Sequence, residues 1–197
     1  MIGQDQAQID EVRTLYRIFT MGLVRGWDVA IDGGAHVGTW TMAMAPRFER
    51  VTAFEPTPET FGYLCENTAG HSNVECRNDA LLDYRGMVNV VQPREKRKRL
   101  TSRQVERAAD GTIPCVAIDE LKLPRCDLIK LDLEGAEGLA LKGARLTIMR
   151  HKPVLVIEVS DLSKGFGHAP EDIEWQVIDM GYREAFRALV DRVYVPL

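Results

Sequence analysis

Apolar and polar positions along this chain follow two rhythms. Between residues 5 and 25, Ile9, Val12, Tyr16, Phe19 and Leu23 recur at three- and four-residue steps, the spacing that lines one face of a helix. Gly26 offers a stop. This stripe predicts a helix covering the core, with a lid over a ligand site as the alternative. Short apolar runs then alternate with helical stretches. Residues 29–32, 51–55, 74–77, 127–132 and 153–159 read as strands. Residues 39–47, 58–69, 135–150 and 169–180 read as helices, with Thr57 as the cap of the second and Pro58 and Pro170 in first turns. Residues 88–91 and 113–118 read as two further strands, paired with each other. Two strand-like runs, 182–188 and 192–195, close the chain.

This βαβ alternation predicts an α/β fold: a three-layer, Rossmann-like sheet, mostly parallel, with helices on both faces and an antiparallel edge pair at the C-terminus. At 197 residues the expectation is one domain spanning 1–197, with an N-terminal helix in 1–26 and a strand pair carrying a basic insertion in 87–118. A hydrophobic share of 45% against 27% charged residues is that of a globular protein. The net charge of −4 makes no case for nucleic acid over the whole surface. The start is polar (Gln4, Asp5, Gln6, Gln8) and lacks the apolar core of a secretory signal. No apolar run is long enough to cross a bilayer, so a cytoplasmic protein without a membrane partner is expected. Cys65, Cys76, Cys115 and Cys126 form no CxxC pair and no zinc-spaced cluster, which favours reduced thiols. The segment 92–111 carries Arg94, Lys96, Arg97, Lys98, Arg99, Arg103 and Arg107. It reads as a solvated loop, or as a patch that attracts an anionic substrate.

Chemistry concentrates where strands end. The run Val29-Ala30-Ile31-Asp32 stops on an acid and turns through Gly33, Gly34 and Gly38 into a helix. Ligands of open parallel sheets bind at such carboxyl ends. A phosphate-cradling P-loop needs Lys after its second glycine, and Thr39 stands there; a dinucleotide fingerprint needs G-x-G-x-x-G, which 33, 34 and 38 do not supply. The remaining ligand reading is a D-x-G-x-x-x-G loop for S-adenosylmethionine (SAM), beside the plain alternative of a strand-to-helix turn. Glu55 ends the second strand, where an acid accepts ribose hydroxyls. Asp79 follows the third strand, where it accepts an adenine amino group or simply makes a turn. Lys130 and Asp132 share one strand face. Asp132 and Glu158 end neighbouring strands, an arrangement suited to proton transfer or to a hard divalent ion. Glu137 reads as a first-turn helix acid.

Taken together, the motifs resemble those of the FkbM family of SAM-dependent methyltransferases. The matching residues are Ile31-Asp32-Gly33-Gly34-Ala35-His36-Val37-Gly38-Thr39, Phe54-Glu55-Pro56-Thr57-Pro58-Glu59 and Asn78-Asp79-Ala80-Leu81. Ile118-Asp119-Glu120-Leu121, Ile129 through Glu137, Leu141-Lys142-Gly143-Ala144 and Lys152-Pro153-Val154 through Glu158 continue the match. The resemblance implies a class I methyltransferase sheet, SAM as cofactor, and O-methylation of a hydroxyl on a small molecule, sugar or natural product. Carried over, Asp32 (directly or through water), Gly34 and Gly38 hold the methionine part, Glu55 the ribose and Asp79 the adenine, with Gly33, Thr39, Pro56 and Ala80 as further cofactor-binding residues. His36 stands where the family usually has Asn. Asp132, Glu158 and His36 are the candidate bases. A divalent metal on Asp132, Glu158 and Asp161 is the less favoured variant, because the lysine base of metal-dependent enzymes is replaced by Gly135. A nucleic-acid or protein acceptor, a non-catalytic SAM-binding protein, and a homodimer are the alternatives on function and assembly. The glycine-rich loop 160–169 reads as a lid or as an ordinary connection.

Overall fold

The computed structural model describes residues 6–91 and 104–197. Gln4 and Asp5, the side chain of Ile9, and the basic residues Arg94, Lys96, Arg97, Lys98, Arg99 and Arg103 lie outside that description. In chain order the elements are α1 (Gln6–Thr20), β1 (Val29–Gly33), α2 (Thr39–Met44), β2 (Arg50–Phe54), α3 (Pro58–Thr68), β3 (Val74–Arg77), β4 (Ala80–Leu81), β5 (Gly86–Val91), β6 (Gln104–Arg107) and β7 (Ile113–Val116). There follow β8 (Leu128–Leu131), α4 (Glu137–Gly143), α5 (Arg145–His151), β9 (Val154–Glu158), α6 (Pro170–Asp179), β10 (Tyr182–Ala188) and β11 (Asp191–Pro196).

Seven strands form the main sheet in the order β10-β11-β9-β8-β1-β2-β3. The five strands from β9 to β3 run parallel, and β11 and β10 are antiparallel. The order reverses between β1 and β8, so a crevice opens above their carboxyl ends. Strand alternation sorts the core into two layers. Ile31, Ile129, Leu155 and Ile157 pack under α4, α5 and α6. Ala30, Leu128, Val154 and Val156 pack under α1 and α2. Both faces are covered, which is why these strands read as continuous apolar runs.

Several local expectations are corrected. The first helix ends at Thr20, not near Gly26: Gly22 takes the left-handed conformation (φ 64°), and the Leu23 amide reaches back to the Ile18 carbonyl (3.2 Å), a Schellman stop. Among its described side chains Thr14, Leu15 and Ile18 are buried, whereas Tyr16 is exposed. The helix therefore covers the core, as its stripe predicts, with the phase moved by one residue. Thr57 sits at the cap of α3 without a side-chain cap bond. The single helix expected over 135–150 is two, broken at Ala144. The break leaves the Leu146 and Thr147 amides open, and the Asp119 carboxylate accepts both (3.0 and 2.7 Å). The expected pairing of 88–91 with 113–118 is present as antiparallel β5–β7, inside a second sheet ordered β4-β7-β5-β6. Strand β6 uses the end of the basic segment. There Arg107 pairs with Asp83 (2.5 Å) and stacks on Tyr84. The four cysteines are free thiols. Among the described residues no helix is long and apolar enough to cross a membrane.

Candidate functional site

The β1 tip is built from backbone that most side chains avoid. Gly34, His36 and Gly38 all have positive φ (71°, 51° and 93°), and a Cβ on Gly34 would collide with the Asp132 carbonyl. The glycine therefore lets the loop press against the tip of β8. His36 is exposed. Its left-handed backbone explains the departure from Asn: both residues tolerate this region better than most. Strain collected at a strand tip is a common mark of a ligand site.

Glu55 shapes the neighbouring tip. It is 6% exposed, and its two oxygens accept the His36 amide (3.0 Å) and the Thr57 amide (2.8 Å). Each oxygen keeps a further lone pair, so the carboxylate fits a diol without giving up its loop contacts. Asn78 braces this turn by donating to the carbonyls of Glu55 (2.8 Å) and Pro56 (3.1 Å). Asp79 is gripped by Arg77 (2.5 Å). The Ala80 side chain is buried in the second sheet's core. Gly33 is the last residue of β1, also buried, and its carbonyl accepts the Asp132 amide (3.1 Å). Thr39 opens α2 at the crevice side of the loop.

Asp32 is fully buried. Its Oδ2 accepts the Thr41 hydroxyl (2.6 Å). Its Oδ1 has no hydrogen-bond donor, although Lys130 Nζ stands 3.4 Å away as an ion-pair partner. Lys130, which also donates to the Gly34 carbonyl, ties this buried acid to the glycine loop.

Asp132 and Glu158 do come together. Glu158 lies within hydrogen-bond reach of Asp132, and burial, Asp132 and Glu137 push its carboxyl up to about 9. At neutral pH it holds a proton. The Asp132 side chain is 37% exposed, so it is the member of the pair open to the crevice. Glu137 is buried and clamps the loop after β8 by accepting the Leu133 and Gly135 amides (2.6 and 3.2 Å). Burial raises it to about 7.

Asp191 is a residue that sequence reasoning missed. It opens β11 opposite Glu158, and burial and Asp132 raise it to about 6 against the lowering effect of Lys130. Only the antiparallel direction of β11 brings its first residue to this end of the sheet, and a strand pattern does not reveal direction. Asp161, by contrast, turns outward to pair with Lys164 (2.8 Å). Among the described residues no group of three or more His, Cys, Asp or Glu is arranged to hold a metal ion, so the Asp132–Glu158–Asp161 set is not assembled. The loop after β9 is a tight helical turn, Asp161–Phe166, started by Ser160.

The chain was compared with known proteins. No curated protein matches it. A solved FkbM methyltransferase from Methylobacillus flagellatus KT superposes with a TM-score of 0.58 at 22% identity; the match covers 90% of this chain and 46% of that one, so the chain spans about half its length. The N-methyltransferase NodS from Bradyrhizobium japonicum WM9, solved with S-adenosyl-L-homocysteine, gives 0.53 at 15% identity over 98% of this chain and 88% of that one. Magnesium protoporphyrin IX methyltransferase from Synechocystis PCC 6803, also solved with that product, gives 0.53 at 13% over 97% and 84%. At these identities the likeness is one of fold, the class I Rossmann-like sheet. The methyltransferase FkbM domain model matches residues 32–184, well over half of the chain. That match begins at the buried acid of the glycine loop and takes in every strand tip from β1 to β9, and on it the chain belongs to the FkbM family of SAM-dependent methyltransferases.

Proposed function

We propose that this protein moves the methyl group of SAM to a hydroxyl oxygen of a small-molecule, sugar or natural-product acceptor, with Asp132 taking the hydroxyl proton. The observation that carries the reading is the carboxylate pair beside the donor loop. One member, Glu158, is held neutral by burial, and the other, Asp132, is open to the crevice. A carboxyl held protonated beside a second one open to the crevice is a frequent acid–base arrangement.

The residues present fit the cofactor. Glu55 keeps lone pairs for the ribose hydroxyls, and Asp79 lies beyond it for the adenine. Gly34 and Gly38 border the methionine end, with Asp32 and Lys130 setting the charge beneath. The cofactor supplies a methyl on a sulfonium, which leaves by in-line displacement. The protein's task is to hold the acceptor oxygen on that line and take its proton. Asp132 accepts the proton while the neutral Glu158 hydrogen-bonds to it. His36 contributes its amide to Glu55, with its imidazole on the rim. A cavity of about 380 Å³ between apolar residues (Leu82, Leu139, Phe166) and the polar Gln104, Glu106 and Arg107 supports an acceptor side there. Gln104 donates to the Glu134 carbonyl (2.9 Å), two residues beyond Asp132.

Methyl-labelled SAM, incubated with panels of sugars, phenols, RNA and protein, tests this reading. Label on an oxygen of a small acceptor is expected, with Asp132→Asn slower by about 10²–10⁴-fold. Label on nitrogen or carbon, label in the RNA or protein pool, or an unslowed Asp132→Asn would overturn it.

A further inference from the structure

A lysine is rarely buried without partners, because its charge loses hydration. Lys130 is 5% exposed and lies in register with Asp32 on the adjacent strand. Its ammonium donates to the Gly34 carbonyl (2.9 Å) and stands 3.4 Å from Asp32 Oδ1 and 3.6 Å from Asp132 Oδ2. One side chain therefore touches the donor loop and the acceptor-side carboxylate together. A compact ammonium on a flexible stem suits three acceptors pointing in different directions; a planar guanidinium does not.

We propose that Lys130 is a positioning residue for methyl transfer: it locks the Gly34 carbonyl and the Asp132 carboxylate to one another and keeps Asp132 as the charged, proton-accepting member of its pair. The inference rests on Asp132 being the base. Around Asp132 stand Asp32 from β1, Glu158 from β9, Asp191 from β11, and Glu134 and Glu137 from the loop and helix after β8. These neighbours are all acids, and each ionised one drives a proton onto Asp132. The Lys130 ammonium opposes them at close range. An opposite charge within 4–6 Å moves a carboxylate by roughly one to three pH units.

The test is a carboxyl-carbon NMR titration of the cofactor-free protein, with the Asp132 signal identified by its loss in Asp132→Asn. Asp32→Asn is the baseline, because it prevents a buried carboxylate from being left unpaired when Lys130 is removed. Adding Lys130→Met to that baseline should raise the Asp132 midpoint by about one pH unit. In calorimetry the same change should weaken SAM binding by about five- to tenfold, since the Gly34 carbonyl loses its anchor. Lys130→Arg should hold the midpoint near wild type while still weakening SAM, which separates charge from geometry. If Lys130→Met does not fold, Lys130→Gln keeps a donor for Gly34 and gives the same titration readout. An Asp132 midpoint that is equal with and without the Lys130 charge overturns the proposal. A wild-type protein that gives no heat with SAM, while the midpoint still moves, instead sinks the methyl-transfer reading and leaves the electrostatic coupling standing.

Discussion

Glu158 makes folding stability depend on pH in an unusual direction. Its carboxyl is raised from 4.5 to about 9 by burial and by Asp132 and Glu137. Between those values the folded protein keeps a proton that the unfolded chain gives up, so stability falls as pH rises. This is the reverse of a salt-bridged acid, which gains stability with rising pH and does so below its ordinary pKa. A whole proton corresponds to about 1.4 kcal/mol per pH unit, or about 4 kcal/mol from pH 5 to pH 8. Solvent at the partly open site and the proton shared with Asp132 reduce the expected figure to about 2 kcal/mol. Glu158→Gln keeps a donor for Asp132 but cannot ionise. Urea unfolding of both proteins at pH 5, 6, 7 and 8 should show the variant gaining about 2 kcal/mol on wild type across the series. Asp191 and Glu137 titrate in both proteins and largely cancel. Parallel stability profiles, or a variant that loses ground as pH rises, would refute the reasoning.

His36→Asn should be neutral within about 0.5 kcal/mol, whereas His36→Val should cost about 1–2 kcal/mol, because a β-branched residue is poorly accommodated at φ 51°; thermal melting distinguishes the two. Asp119→Ala removes the acceptor for two amides at the start of α5. It should lower stability by about 1–2 kcal/mol while leaving SAM affinity in calorimetry unchanged, and a large loss of affinity would show that α5 is coupled to the site.

The main sheet was legible because its strands are covered on both faces, so Val29 to Asp32 or Val154 to Glu158 could hardly be read otherwise. Strand β6 was not, since Gln104, Glu106 and Arg107 surround a single buried Val105. The phase of α1 was ambiguous for a different reason. Tyr16 and Leu15 are both apolar neighbours, and only packing against α2 selects Leu15. Of the site, Asp32, Glu55, Asp132 and Glu158 stood out as acids closing apolar strands. What was hidden is who partners whom. The cover of Lys130 over Asp32 depends on β1 and β8 being adjacent, and Asp191 depends on the direction of β11. The left-handed backbone of His36 was likewise not legible in the glycine loop's spacing.

The pairing of Asp32 with Lys130 also sets an order of events. The two residues are separated by 98 positions in sequence, and contacts so distant form late because a long loop must close first. While the chain is being made, β1 to β3 emerge with a carboxylate near the tip of β1, their edge strand until β8 arrives, and without Lys130 to accompany it indoors. That half cannot dry out until β8 arrives. The donor loop is thus encoded early but completed late, and a partial chain ending before Lys130 should keep its first crossover hydrated and open.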